Sequence, residues 1–274
     1  SLGIGEPDFV IHLAERREMM QASAKRLIAT RHTNNLIANA VGAMLAEAEA
    51  RIAEDGYASG TETAMFALWE DSRARSRQVG EHAATQICDG DTVLTHCWGE
   101  SAIIEPLAAA LRAGKRIKVI CTETRPYLQG SRLTAHSIAE MGIDVTVITD
   151  NMGAWAMDRG RVSRLITAAD RVTMSGHVVN KVGTLQLALA ANAYGLPYIA
   201  TVQDPDRKAP GPQYVPMEDR DPNETLHCLG QRTASPLAHG WYPAFDITPP
   251  HLVTAIATTR GIFPADQMEQ HYAV

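Results

Sequence analysis

Aromatic residues are scarce in this sequence, 5% of its 274 positions, and cysteine is scarcer, with only Cys88, Cys97, Cys121 and Cys228. The cysteines form no Cys-x-x-Cys pair, and no histidine cluster has zinc-ligand spacing. Neither a disulfide framework nor a zinc module is therefore expected to organise the fold, and reduced thiols in a cytoplasmic protein are. An excess of positive charge is also missing: 25 lysines and arginines face 31 acidic residues, for a formal net charge of -6. That balance excludes a broad electrostatic footprint for nucleic acid. It leaves room for one bound phosphate, because a few local donors overcome a weak global field. No apolar run approaches the roughly 20 residues that span a bilayer, so no membrane partner is expected. The first residues, SLGIGEPDFVIHLAERRE, have neither a basic n-region nor an apolar h-region, so they do not read as a secretory signal. The Walker spacing GxxxxGK, internal repeats and low-complexity tracts are absent as well.

What is present is apolar material, 45% of the chain. That suffices for one large domain, or for a small helical domain beside a larger α/β one. The first third carries a three-to-four apolar spacing in three stretches: 15–28, 35–52 and about 61–88. Three helices with short connections predict a helical cap or dimerisation layer, assigned to residues 1–85. From Cys88-Asp89-Gly90-Asp91 onward the pattern changes. Short β-rich runs (92–96, 117–122, 144–149, 171–174 and 198–201) alternate with amphipathic or alanine-rich segments. This alternation predicts an α/β fold, a doubly wound parallel sheet of Rossmann-like type, for residues 86–274. Gly142 and Gly195 sit where helix C-caps belong. Residues 203–220 form a proline- and charge-rich loop of the length expected for a lid or binding loop. A last β/α unit is expected, with a strand at 244–247 and a helix from Pro250 to about Thr259, N-capped by Thr248.

In an open parallel sheet, ligands bind at the carboxyl ends of the strands, and most of the uncommon polar residues follow the inferred strands. Cys97 follows the first run and precedes a glycine and a helix, where a thiol is pushed toward the thiolate. A small buried hydrophobe would occupy the same position. Asp170 stands between apolar residues at a strand edge, where a carboxyl can hold its proton near neutrality. An ion pair with Arg171 or a helix-capping role fits it too. Asn180-Lys181-Val182-Gly183-Thr184 reads as the opening of a helix, so Lys181 with free backbone N–H groups would make a phosphate site. A solvated first-turn lysine is the alternative. Arg125, Gln129 and Arg132 are further oxyanion donors, or surface charge beside a turn. His96 and His136 lack partners at ligand spacing and read as packed or surface histidines. Cys88, Cys121 and Cys228 read as core thiols.

Several segments together resemble one family. THCWGES resembles the cysteine turn of the methylthioribose-1-phosphate isomerases. RPYLQGSRLTAHSIAEMGIDVTVITDNM, AADRVTMSGHVVNKVGT, VPMEDRDPNE and YPAFDITPPHLVTAIATTRG are similar to its other blocks, in the same order over residues 85–263. The same superfamily holds ribose-1,5-bisphosphate isomerases and the regulatory subunits of initiation factor two-B. The resemblance implies an aldose–ketose isomerase of a sugar 1-phosphate with Cys97 and Asp170 as its acid/base pair. It also implies Arg31, Gln129, Asn180 and Lys181 as substrate and phosphate binders, no metal, no organic cofactor, and a homo-oligomer, dimer or higher. Another phosphosugar (ribose 1,5-bisphosphate or a 5-deoxypentose 1-phosphate) stays open as substrate. So does a non-catalytic regulatory subunit that binds a phosphosugar or nucleotide. Arg31 stands in RHTNN, without the small residues of the family's phosphate loop, and 58–63 (ASGTET) lacks the second arginine expected there.

Overall fold

The computed structural model describes residues 6–30, 35–55 and 57–273. Two compact units are resolved, Ser1–Ala74 and Arg75–Val274, against the division at residue 85 expected from the change in sequence pattern. The first unit is helical: α1 (Glu6–Ala29), α2 (Asn35–Asp55) and the start of α3 (Tyr57–Ala84). Small residues let α1 and α2 approach, with Ala24 and Ala48 buried between them. Gln21 donates to Glu49 at 2.8 Å across the pair. No described helix is long and apolar enough to cross a membrane.

The second unit begins inside α3 and alternates strands with helices. In chain order these are β1 (Thr92–Thr95), α4 (Ser101–Arg112), β2 (Lys118–Thr122), α5 (Ala135–Glu140), β3 (Asp144–Ile148) and α6 (Gly153–Asp158). Then come β4 (Arg164–Ala168), β5 (Arg171–Val172), β6 (Val178–Lys181), α7 (Thr184–Ala193) and β7 (Tyr198–Thr201). The chain closes with α8 (Asn223–Leu226), β8 (His227–Cys228), β9 (Gln231–Arg232), β10 (Phe245–Thr248), β11 (Ala255–Thr258), β12 (Gly261–Phe263) and α9 (Gln270–Ala273). Seven strands form the main sheet in the order β12-β11-β7-β4-β1-β2-β3. All pair in parallel except the edge strand β12. β10, β6 and β5 form a separate antiparallel sheet, and β8 and β9 a two-stranded hairpin.

Strand periodicity divides the core. Leu94, Ile120, Leu165, Ala200 and Ile256 face one side, with α6 and α7 residues such as Met157 and Leu187. Their neighbours Val93, Val119, Ile166, Ile199 and Ala257 face the other, with Val79 and Ala83 of α3, Leu107 of α4 and Ile138 of α5. Both faces of the sheet are covered, so the fold is the expected doubly wound α/β domain after helical segments. Gly142 and Gly195 follow α5 and α7 with φ of 78° and 67°, as C-terminal caps require.

Several local expectations are corrected. The strand after α6 in the main sheet is Arg164–Ala168, not 171–174; Arg171-Val172 belong to the small antiparallel sheet. Asp170 therefore sits in the turn that carries the chain from one sheet to the other. The strand expected at 244–247 is present as β10 but runs antiparallel to β6. No helix follows Pro250: one 3-10 turn, Pro250–Leu252, leads into β11, where small Ala255 and Ala257 pack beside β7. Tertiary pairing there overrides alanine's helical preference. Cys88 is exposed and Cys228 half-buried; of the three thiols assigned to the core, only Cys121 is in it. The 203–220 segment is pinned rather than loose. Met174 and Ser175 donate to Ala209 and Pro210, and Arg171 pairs with buried Asp206 at 2.8 Å.

Two positions make the fold's demands on sequence explicit. A Cβ on Gly130 would stand 1.8 Å from the Thr122 carbonyl oxygen, so the turn leading to α5 closes on β2 only with glycine. Gly130→Ala should lower stability by about 1–3 kcal/mol through that overpacking, read as a shift in urea midpoint. Asp246 of β10 accepts from the N–H groups of Gly183 (2.7 Å) and Leu185 (3.1 Å) and so caps α7. Burial lifts its carboxyl to a pKa of about 6, although those two hydrogen bonds pull the other way. The folded protein then holds this proton more tightly than the unfolded chain does. The stability it contributes is full below about pH 4 and is lost as the pH rises through about 6, a change of about 2–3 kcal/mol. Urea unfolding between pH 4 and 7 should show that slope in the wild type and lose it in Asp246→Asn.

Candidate active site

The strand order reverses beside β1. From β1 the chain winds outward through β2 and β3; from β4 it winds the opposite way through β7 and β11. β1 and β4 are neighbours, paired at Val93↔Arg164 and Leu94↔Leu165. The crevice between the carboxyl ends of two such strands is where open α/β sheets bind ligands. Cys97 lies two residues past the end of β1 and Asp170 two residues past the end of β4. The cysteine turn presses on the end of β4: a Cβ on Gly99 would meet that of Ala168 at 2.6 Å. The two residues most favoured by the sequence thus follow the carboxyl ends of two adjacent strands.

Cys97 is buried and has φ of 66°, a left-handed conformation that is costly outside glycine. Its backbone is clamped on both sides. Its N–H donates to Thr124 Oγ1 at 2.9 Å, and its carbonyl accepts from Thr134 Oγ1 at 2.6 Å. Thr124, also at positive φ, is held in turn by Asp150, whose carboxylate accepts from the N–H groups of Thr124 and Arg125, each at 2.7 Å. Glu100 and Leu128 carry positive φ as well, so the strained non-glycine backbone gathers on the turns after β1 and β2.

His96 does more than fill space. Its Nε2 lies 2.9 Å from the Val182 carbonyl, which only accepts, so Nε2–H donates and Nδ1 accepts from the Thr122 hydroxyl at 2.6 Å. Burial depresses its pKa, opposed by the Val182 hydrogen bond and the Asp150 charge, so the ring stays neutral. The histidine that precedes the cysteine therefore ties β1 and β2 to the turn that follows Lys181. Gly183, with φ of 106°, lies flat against the imidazole; a Cβ there would be 3.0 Å from the ring.

Lys181 ends a strand; it does not open a helix. It is 3% exposed, which removes the solvated alternative. Its ammonium lies 4.9 Å from the Phe245 ring centre and 5.8 Å from those of Tyr127 and Tyr242. The Tyr242 hydroxyl is within 3.5 Å of it. Strand alternation sends Asn180 the other way, where its Nδ2 donates to Thr184 at 3.0 Å. Because Asp246 already takes the Gly183 and Leu185 N–H groups, the anion site expected at the start of α7 is filled by the protein's own carboxylate. Any anion held here is held by side chains.

The remaining assigned residues separate. Arg125 donates to the carbonyl oxygens of Pro126 (3.1 Å), Thr225 (3.4 Å) and His227 (2.7 Å), so its guanidinium fastens the 225–227 backbone to the rim. Gln129 is half-buried, and its Oε1 is enclosed without a hydrogen-bond partner. Arg31 lies outside the described residues. Three residues not singled out in the sequence join the cluster: Tyr127, Arg220 and Tyr242. The T-shaped pair Tyr127–Tyr242 has ring centres 5.9 Å apart, and the Arg220 guanidinium lies 5.4 Å from the Tyr127 ring. Burial first, then the nearby charges of Tyr127, Glu224 and Cys97, push the Tyr242 phenol up to about 12, although Arg220 opposes them. Tyr127, Arg220 and Tyr242 all lie in loops without periodicity, although each falls within a block that carries the family resemblance.

A family model described as the initiation factor 2 subunit family matches residues 8–265. The chain is 43% identical over 193 residues to a methylthioribose-1-phosphate isomerase of Thermosipho melanesiensis, covering 67% of this chain and 56% of that one. It is 42% identical over 201 residues to a 5-deoxyribose 1-phosphate isomerase of Bacillus thuringiensis, covering 69% and 57%. The chain thus spans between half and two thirds of the length of these curated relatives. Among solved structures it is similar to translation initiation factor eIF-2B, subunit delta, from A. fulgidus, with a TM-score of 0.73 and 30% identity over 92% of this chain and 76% of that one. By sequence blocks, by fold and by the match across nearly its whole length, the chain belongs to the initiation factor 2 subunit family.

Proposed function

We propose that the chain is an aldose–ketose isomerase acting on a sugar 1-phosphate, with Cys97 and Asp170 as the groups that move protons. The observation that carries this reading is the position of the two residues at the carboxyl ends of adjacent strands on either side of the topological switch. The named activities of the 43% and 42% identical relatives support it. Because those proteins are longer, the activity and the substrate are proposals for this chain. The preferred substrate is methylthioribose 1-phosphate, with 5-deoxyribose 1-phosphate or ribose 1,5-bisphosphate as the alternatives. A non-catalytic regulatory role is the second reading, favoured by the likeness to an initiation factor subunit.

In the proposed mechanism Asp170 gives a proton to the ring oxygen and opens the ring. Cys97, as thiolate, takes the proton from C2, leaving an enol between C1 and C2. The Cys97 thiol then returns that proton to C1 while Asp170 takes the O2 proton as the ketone forms. Both groups end in their starting states, and no metal, cofactor or external acid is consumed. A hydride shift from C2 to C1 reaches the same product and uses Asp170 alone for the O–H protons. Lys181 holds the phosphate, with Gln129 as the further donor; Asn180, turned to Thr184, serves by holding the start of α7. Arg125 serves by fixing the rim. The aromatic rings around Lys181 exclude water, which protects the enol and strengthens the ammonium's field.

We further propose a cytoplasmic homo-oligomer, dimer or larger. Four unbridged cysteines suit a reducing compartment. Exposed Met65, Phe66 and Trp69 on α3 offer apolar surface for self-association.

A panel of aldose 1-phosphates, read out by ketose formation, tests the activity; no turnover with any of them, alongside thermal stabilisation by one, would favour the regulatory reading. Cys97→Ser and Asp170→Asn should each lower turnover by about 10²–10⁴-fold with melting temperature little changed. Normal turnover in either variant removes that residue from the mechanism. Lys181→Met keeps the side chain's bulk among the rings and removes its charge. It should raise KM for the phosphorylated substrate by about tenfold or more, measured by steady-state kinetics with melting temperature as the control.

A further inference from the structure

Glu224 is the one carboxylate of the 220–228 segment aimed at the lysine–tyrosine cluster. Its Oε1 accepts from the Tyr127 hydroxyl at 2.9 Å. Its Oε2 is enclosed and has no hydrogen-bond partner, and Glu224 is in no ion pair among the described residues. A carboxylate oxygen shut away from water with nothing to accept costs free energy, and this one stands beside the lysine–tyrosine cluster. Arg125 fixes the backbone on both sides of it through the carbonyls of Thr225 and His227. The nearest guanidinium on this segment, Arg220, is committed to Glu218 at 3.1 Å. Tyr127, which donates to Glu224, packs against Tyr242 with ring centres 5.9 Å apart and lies 5.8 Å from the Lys181 ammonium, which puts the carboxylate beside the cluster.

The pocket is therefore polar along its length. The Lys181 ammonium lies against one side of the Tyr127–Tyr242 pair, and Glu224 lies at the Tyr127 hydroxyl. A phosphate is drawn to the first and repelled by the second. A ligand that suits both carries an anion at one end and hydroxyl donors at the other. Resting on the isomerase reading above, the choice of hydroxyl narrows further. O2 reacts and is served by Asp170. C5 carries different substituents in methylthioribose, 5-deoxyribose and ribose 1,5-bisphosphate. The 3-hydroxyl is the donor left over.

We propose that Glu224 is a specificity-determining residue that accepts a hydrogen bond from the 3-hydroxyl of the sugar phosphate. That bond gives the site a preference for ribo-configured ligands that keep the 3-hydroxyl.

The test measures binding by calorimetry, using 5-deoxyribose 1-phosphate and its 3-deoxy analogue, on the wild type and on Glu224→Gln. A hydrogen bond to a charged acceptor corresponds to about 10- to 100-fold in affinity. The wild type should bind the parent sugar more tightly than the 3-deoxy analogue by that factor. Glu224→Gln should lose affinity for the parent and bind the two ligands nearly equally, with an unchanged melting temperature. Equal binding of the two ligands by the wild type overturns the proposal without any variant. So does a Glu224→Gln protein that still discriminates between them. If the wild type turns over an aldose 1-phosphate, either result strikes Glu224 alone. If it neither binds nor turns over any sugar 1-phosphate, the isomerase reading and this one fall together.

Discussion

Everything at the site depends on the parallel pairing of β1 with β4. The hydrogen bonds that align Val93 with Arg164 and Leu94 with Leu165 fix where two chain segments leave the sheet. Because the crossovers on the two sides run in opposite directions, the carboxyl ends of this pair are the topological switch point, where open α/β sheets bind ligands. Cys97 and Asp170, 73 positions apart in the chain, come to that point through strand register alone. The helices that seal the two faces, packed through Leu165 and Leu187 on one side and Ile166 and Leu107 on the other, set the register rigidly enough to matter. A slip by one residue would exchange the two faces of the strand and bury the wrong side chains.

Above that scaffold the rim is built from strained backbone held by buried polar bonds. A non-glycine residue at positive φ costs on the order of 1–3 kcal/mol, and four of them occur on the turns after β1 and β2. Threonines 124 and 134 grip the two sides of Cys97, Asp150 grips Thr124, and His96 joins these turns to the one after Lys181. Each bond is short and enclosed, where hydrogen bonds are hard to replace with water. The thiol is thus presented by an over-determined loop rather than by a flexible one. His96 contributes because it is neutral: a buried imidazolium could not accept from Thr122.

The pocket's chemistry follows from excluded water. Burial pushes the Tyr242 phenol up to about 12, and the Tyr127 phenol, though partly exposed, is raised as well, so each remains neutral and able to donate. Between them, Lys181 supplies positive charge in surroundings with little water to screen it, and Phe245 closes its far side. Arg220 lies at the edge of the same rings, paired to Glu218, so its charge shapes the field while its donors are partly engaged. The proposed anion site would select by the arrangement of its donors and acceptors rather than by the chain's net charge of -6.

The sequence by itself determined the fold class and singled out the two residues that follow the carboxyl ends of β1 and β4. Strand–helix alternation from residue 92 onward reports burial on both faces of a sheet, and Cys97 and Asp170 follow or adjoin runs of β-branched residues. Periodicity is local, so those features are visible in a single chain. Local pattern failed where pairing decided the outcome. Ala255–Thr258 is helical by composition and a strand beside β7; Lys181 looks like a helix start and is the end of β6 against Phe245. Only the tertiary structure decided that Asp246 occupies the start of α7, that Arg125 is spent on backbone carbonyls, and that Tyr127, Arg220 and Tyr242 gather around Lys181. Each of those facts joins segments separated by tens of residues, through hydrogen bonds and ring contacts that exist only once the sheet has brought the segments together.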